Sequence, residues 1–204
     1  MGDDPSRPSF ARMSSFVKTM APVVGARASH PPGVEVAPSF QRVYDECFAM
    51  VWRALRRLGV SEAAVADAAQ DVFLKVHTSL AGFEGRSSVR SWVFGIAVNV
   101  ARDHRRRARS WARVEPRFSE LPAAPPATPD DAAACSEAHR LLGGVLDELD
   151  DDRRAVLVLA EWEEMTAPEI AAALGVNVNT VYTRLRAARA DFDAALARRE
   201  RRGR

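Results

Sequence analysis

Between Phe40 and Leu58 the apolar positions Phe40, Val43, Cys47, Val51, Leu55 and Leu58 share one side of a 3.6-residue period, which predicts an amphipathic helix ended by Gly59. Ser61 is placed to cap a second helix whose inward positions are Val65, Ala69, Val72, Phe73 and Val76, leaving Asp67, Gln70, Asp71 and Leu74 outside. A third helix, from about Ser88 to Arg107, buries Val89, Trp92, Val93, Ile96 and Val100. Its other side mixes apolar and basic groups: Phe94, Val98, Arg102 and Arg105. Near the carboxyl end two short helices meet at a glycine turn. Thr166 with Glu169 forms a capping box, Gly175 supplies the left-handed position after Leu174, and Asn177 can cap the following helix. On that last helix Val181, Leu185, Ala188 and Phe192 form the inward stripe, and Asn179, Thr183 and Arg186 face outward.

Punctuation divides the chain. Residues 1–38 carry six prolines and no sustained period, which predicts a flexible extension. Periodic segments then run over 39–113 and 136–199, separated by a Pro- and Ala-rich linker over 114–135 and followed by a basic tail over 200–204. The eighteen linker residues from Glu115 to Ala132 reach roughly 56 Å in polyproline geometry, more than one duplex turn of ~34 Å. The expected architecture is all-α: two small helical domains on a long linker, able to sit on separate DNA segments, the second with a helix-turn-helix.

Composition narrows the function. Cys47 and Cys135 are too few for a disulfide framework, and no Cys-x-x-Cys or His cluster has metal-ligand spacing, so no cofactor is expected. The apolar run from Met20 to Ala26 contains Pro22 and Gly25 and is far too short to span a bilayer, so no membrane insertion is expected and a reducing cytoplasm fits. Net charge is only +2 over 204 residues, but its distribution is uneven. One basic block runs from Arg102 to Arg113 and another from Arg184 to Arg204, with the acidic run Asp147, Glu148, Asp150, Asp151 and Asp152 between them. Two basic surfaces suit two duplex contacts. A solvated helix face or a disordered tail is the plainer account of either block alone.

Three surfaces carry candidate chemistry. Amide, hydroxyl and guanidinium groups on the last helix match base edges in the major groove; an ordinary helical hairpin with a polar face is the alternative. The seam of Asp67, Gln70, Asp71 and Leu74 has the make-up of a docking face, an apolar anchor with a polar rim, against the alternative of a solvated face with one stray leucine. Its carboxylates have no partner histidine or glycine loop in the sequence pattern, so a catalytic role is rejected and no enzyme is expected. The loop Phe83-Glu-Gly-Arg-Ser-Ser-Val-Arg90 and the aromatic, basic helix after it fit single-stranded nucleic acid, where bases stack and arginines neutralise phosphates. The alternative is that Trp92 and Phe94 are core and Arg102 to Arg107 are solvated, and for Trp92 itself a core position is the expectation.

Asp67-Ala-Ala-Gln-Asp-Val-Phe-Leu-Lys-Val76, then Phe83 through Trp92-Val-Phe-Gly-Ile-Ala-Val-Asn99 to Asp103-His-Arg-Arg-Arg107, the linker and the helix-turn-helix together resemble a bacterial RNA polymerase sigma factor of the extracytoplasmic-function (ECF) group, over about 40–195. The resemblance implies a two-domain initiation factor of the sigma-70 family, with weak affinity for DNA on its own. It implies that Asp67, Gln70, Asp71 and Leu74 dock on the clamp helices of the largest polymerase subunit, with a further contact to the flap of the second-largest. It implies recognition and melting of the minus-ten element by Arg86, Ser88, Arg90, Asn99, Arg102, Arg105 and Arg106, and reading of the minus-thirty-five element by Asn179, Thr180, Tyr182, Thr183, Arg184 and Arg186. An anti-sigma factor is an implied partner. The chain departs from the family pattern at Ala68-Ala69, at Gly95 and Val98, where arginines are common, and at Asn179 and Tyr182. A stand-alone helix-turn-helix regulator and a decoy that titrates an anti-sigma factor are the alternatives.

Overall fold

The computed structural model describes residues 38–114 and 140–202. The proposed extension and nearly all of the linker lie outside these residues. Seven α-helices are described: α1 (Phe40–Arg57), α2 (Val65–Ser79), α3 (Val89–Val114), α4 (140–147), α5 (Asp151–Glu161), α6 (Ala167–Leu174) and α7 (Val178–Arg202). No strand occurs among the described residues.

Local chemistry accounts for the breaks. Ser39 accepts a hydrogen bond from the Arg42 N–H at 3.3 Å and starts α1. Gly59, at φ +87°, turns the chain out of it, and a Cβ there would meet a guanidinium nitrogen of Arg154 at 1.9 Å. Ser61 has the extended conformation of a cap, but its side chain makes no capping hydrogen bond; a 3-10 turn, Glu62–Ala64, leads into α2 instead. Ser88 caps α3 through its hydroxyl, which accepts from the Ser91 N–H at 3.1 Å. Asp150 caps α5 by accepting from the Arg153 N–H at 2.8 Å. At α6 the Thr166 N–H donates to Glu169 at 2.8 Å, the reciprocal half of the capping box, and Gly175 leaves the helix at φ +64°. Asn177 accepts from the Asn179 N–H at 2.8 Å and opens α7.

Helices α1, α2 and α3 pack against one another around Val43, Val51, Leu55, Val72, Phe73 and Val93. Helices α5, α6 and α7 pack around Val156, Leu159, Ile170, Val181, Ala188 and Phe192. The two sets do not stand apart. Helix α3 packs against α6, and the buried apolar residues of both sets form one continuous cluster.

Two residues of the α3 side expected to mix apolar and basic groups, Phe94 and Val98, are not on an open face: both are fully buried. A helix that is apolar on two sides requires cover on two sides, and here the second cover is the helix-turn-helix unit. Gly95 permits the approach, because a Cβ on it would lie 2.4 Å from the Ala173 carbonyl oxygen. Helix α7 also continues through Arg202, past the expected domain end at 199.

Candidate nucleic-acid interface and docking groove

On α2, Asp67 and Gln70 are exposed and Leu74 is 56% exposed. Leu74 is not a stray apolar residue. With Gln70 it borders an open groove of about 550 Å³ whose aromatic lining is Phe40, Tyr44, Phe48, Trp52 and Phe73. Tyr44 meets Phe48 at 5.2 Å and Phe73 at 4.7 Å between ring centroids, and Phe48 meets Trp52 at 5.9 Å. These α1 rings recur every four residues, a second stripe beside the core stripe that could have been read from the sequence. Asp71 departs from the outer face: it is half-buried, and its carboxylate lies 2.9 Å from His104 Nε2 on α3. A partner histidine therefore accompanies Asp71, 33 residues away in sequence, and ties α2 to α3.

Before α3, Arg86 is exposed beside Glu84 at 3.1 Å, while the Ser88 hydroxyl is taken up by its cap. Phe83 packs on Trp92 at 5.0 Å, which keeps the half-buried Trp92 in a structural role. Asn99 is exposed. Arg106 is exposed and pairs with Asp103 at 3.0 Å. The remaining arginines of this surface turn toward the second set. Arg90 lies over Phe94 and donates to the Glu163 carbonyl at 2.9 Å. Arg102 donates to Asp152 at 2.7 Å, and Arg105 and Arg109 reach Asp151 at 2.8 and 3.0 Å.

On α7 the outward face is as expected. Asn179, Tyr182, Thr183 and Arg186 are exposed, Tyr182 by 59%, and Thr180 is half-buried. The Thr183 hydroxyl donates to the Asn179 carbonyl at 2.9 Å. Arg184 sits closer to the apolar stripe, half-buried, and pairs with Asp152.

The acidic partners were not among the expected site residues. Glu163 is almost fully buried between Arg57 at 3.2 Å and Arg90 at 3.4 Å. Loss of solvent pushes its carboxyl up, and the two arginines oppose that. Burial likewise lowers Arg57, with Glu163 acting against it. Arg154, 1% exposed, donates to the Leu58 carbonyl at 3.2 Å and pairs with Asp147 at 3.0 Å. The sequence held one signal for this network, the acidic run lying between two basic blocks. Among the described residues no cluster of His, Cys, Asp or Glu is placed to hold a metal, and no helix is long and apolar enough to cross a membrane.

Comparison with known proteins follows the same division. Residues 43–111 match the family model for sigma-70 region 2, and residues 139–192 that for sigma-70 region 4. RNA polymerase sigma factor NccH of Alcaligenes xylosoxydans xylosoxydans is 32% identical over 148 residues, covering 71% of this chain and 79% of the relative. ECF RNA polymerase sigma factor SigL of Mycobacterium tuberculosis is 30% identical over 168 residues, covering 81% and 90%. The chain belongs to the ECF sigma factors.

The fold agrees. The structure of CnrH in complex with the cytosolic domain of CnrY matches with a TM-score of 0.60 at 28% identity, over 78% of this chain and 87% of that one. The structure of the sigma factor RpoE with the anti-sigma factor NepR from Bartonella quintana is similar in fold, with a TM-score of 0.61 at 21% identity, over 78% and 96%. In this sigma factor the region 2 match covers α1–α3, and the region 4 match covers the helix-turn-helix. It is thus an RNA polymerase subunit for promoter recognition and transcription initiation, and the all-helical expectation holds.

Proposed function

We propose the following division of labour within this sigma factor. The α2 seam of Asp67, Gln70 and Leu74, continued by the aromatic groove, docks on the clamp helices of the largest subunit of core polymerase. Asp71 contributes to that face while anchoring His104. The second set contacts the flap of the second-largest subunit. The loop before α3 and the helix itself, through Arg86, Ser88, Arg90, Asn99, Arg102, Arg105 and Arg106, capture the unpaired minus-ten strand. Helix α7 enters the major groove of the minus-thirty-five element with Asn179, Tyr182, Thr183 and Arg186 toward bases, and with Thr180 and Arg184 toward phosphates.

The observation that most supports this reading is the outward row on α7, four polar or aromatic side chains exposed together just after a left-handed glycine turn. An anti-sigma partner is proposed from the complexed forms in which the structural relatives are found. The protein acts in the cytoplasm, where polymerase is, and catalyses no reaction of its own. Run-off transcription of pooled genomic fragments by purified core polymerase tests the proposal. Factor-dependent transcripts sharing two spaced upstream elements support it. Specific promoter binding without entry into holoenzyme would instead mark a stand-alone regulator.

A further inference from the structure

Four rings of α1, Phe40, Tyr44, Phe48 and Trp52, stay half-buried on the folded chain and line the groove beside α2 together with Leu74. Phe40 meets His77 of α2 edge-on at 5.1 Å, so the aromatic surface spans both helices. An apolar surface left open over this length marks a binding site. Its rim is acidic on both sides: Asp45, next to Tyr44 on α1, and Asp67, next to Ala66 on α2, are exposed. The chain itself carries a matching segment. No proline intervenes between Pro8 and Pro22, and Phe10, Met13, Val17 and Met20 stand there at i, i+3, i+7 and i+10, with Phe16 beside them. That is the spacing with which a peptide lays one helical face into an apolar groove. The charges of this segment are Arg12 and Lys18, both basic and both outside the apolar arc.

We propose that residues 10–20 dock in the aromatic groove of their own chain, with Phe10, Met13, Val17 and Met20 on the rings and Arg12 and Lys18 toward Asp45 and Asp67. The tether allows it. Residues 21–39 reach up to roughly 59 Å in polyproline geometry, against about 18 Å from Phe40 to Trp52 along α1. At helical rise the segment would measure about 15 Å from Phe10 to Met20, a length the groove accommodates. Carrying occupant and groove on one chain gives an effective concentration on the order of millimolar, so weak contacts suffice. Core polymerase is the other claimant to this face, and the segment competes with it; that consequence rests on the docking reading above.

Methionine methyl resonances of the full-length protein read the contact directly, since a methyl held over an aromatic ring is shifted upfield of its random-coil position. Met13→Leu and Met20→Leu identify the two signals. In the wild type both are expected upfield, whatever the protein concentration. Leu74→Arg sets a guanidinium against the basic segment and should return both to random coil. Met13→Arg with Val17→Arg should release Met20 and bind immobilised core polymerase about tenfold tighter, the gain when a groove occupied ten to one is emptied. Random-coil signals in the wild type would overturn the inference, and so would upfield signals that fade on dilution, which place the segment in the groove of a second copy. Release of Met20 with no gain in core binding would overturn the competition. If the signals are upfield but Leu74→Arg still binds core as the wild type does, the docking reading fails and the intramolecular contact stands.

Discussion

Arg154 offers a stringent test of how this fold balances charge against burial. Its guanidinium is sealed among the helices, and only Nη1 is well used; Nε and Nη2 have no hydrogen-bond partner among the described residues. Burial, reinforced by the neighbouring Arg105 charge, pushes its pKa from 12.5 down to about 10 despite Asp147. That fall corresponds to about 3 kcal/mol against the charged form in the folded protein. The sign follows from the direction: a base whose folded value lies below its unfolded one costs stability while both states are charged. The cost is relieved only as the pH rises above about 10. Replacing Arg154 with Met keeps much of the volume and removes the charge. The former partners tolerate the loss, since Asp147 is largely solvated and the Leu58 carbonyl still accepts from Arg105 at 3.3 Å. Arg154→Met should therefore be neutral or stabilising by up to ~3 kcal/mol, as buried ion pairs replaced by apolar residues often are. Arg154→Ala leaves a cavity and should fall at least ~2 kcal/mol below the Met variant. Urea denaturation followed by circular dichroism measures both. Loss of more than ~2 kcal/mol in the Met variant would show that the ion pair outweighs its desolvation and refute the reasoning.

Leu74→Arg should abolish retention of the sigma factor on immobilised core polymerase while changing stability by no more than about 0.5 kcal/mol, because the side chain is exposed on the folded monomer; unchanged retention would remove the groove from the docking face. Arg186→Ala should cost ~1–3 kcal/mol at one promoter position if its guanidinium pairs with a base, and a uniform loss across sequences would reassign it to phosphate. Thr166→Ala should destabilise the helix-turn-helix by ~1 kcal/mol at neutral pH. The Thr166 side chain and then its N–H hold the Glu169 carboxyl below its ordinary 4.5, so this contribution is present above that value and lost as the pH falls through the lowered one. A Thr166→Ala penalty that persists in acid would exclude the Glu169 hydrogen bonds as its source. Burial pushes the Cys47 thiol up to about 11, so a disulfide reagent at neutral pH should label it at the rate of global unfolding; rapid labelling of a Cys135→Ala protein would contradict the packing of α1.

Much of the fold was legible because helix formation is local. Gly59, Gly175, Asn177 and the Thr166–Glu169 pair act within one turn of where they stand, and a 3.6-residue period shows which stripe of a helix avoids water. The outward row of Asn179, Thr183 and Arg186 was legible for the same reason, being what remains once Val181, Ala188 and Phe192 are buried. The aromatic groove was legible only in part, since Leu74 and Gln70 came from one helix and the rings of Phe40, Tyr44 and Phe48 from another.

What covers an apolar face is a property of two elements at once, and periodicity within either is silent about it. Phe94 and Val98 look alike in the sequence whether they meet solvent, a base or a neighbouring helix; only the docking of α6 at Gly95 makes them core. The ion pairs follow the same logic. Arg102 and Asp152 stand 50 positions apart, and Arg154 and the Leu58 carbonyl 96, so the chain alone showed two basic blocks and an acidic run without saying which charge would meet which. Sequence determined the helices, their caps and the surface chemistry of each. Tertiary packing decided which of those surfaces stay open, because the energy of a buried face or a charge depends on what is brought within a few ångströms of it.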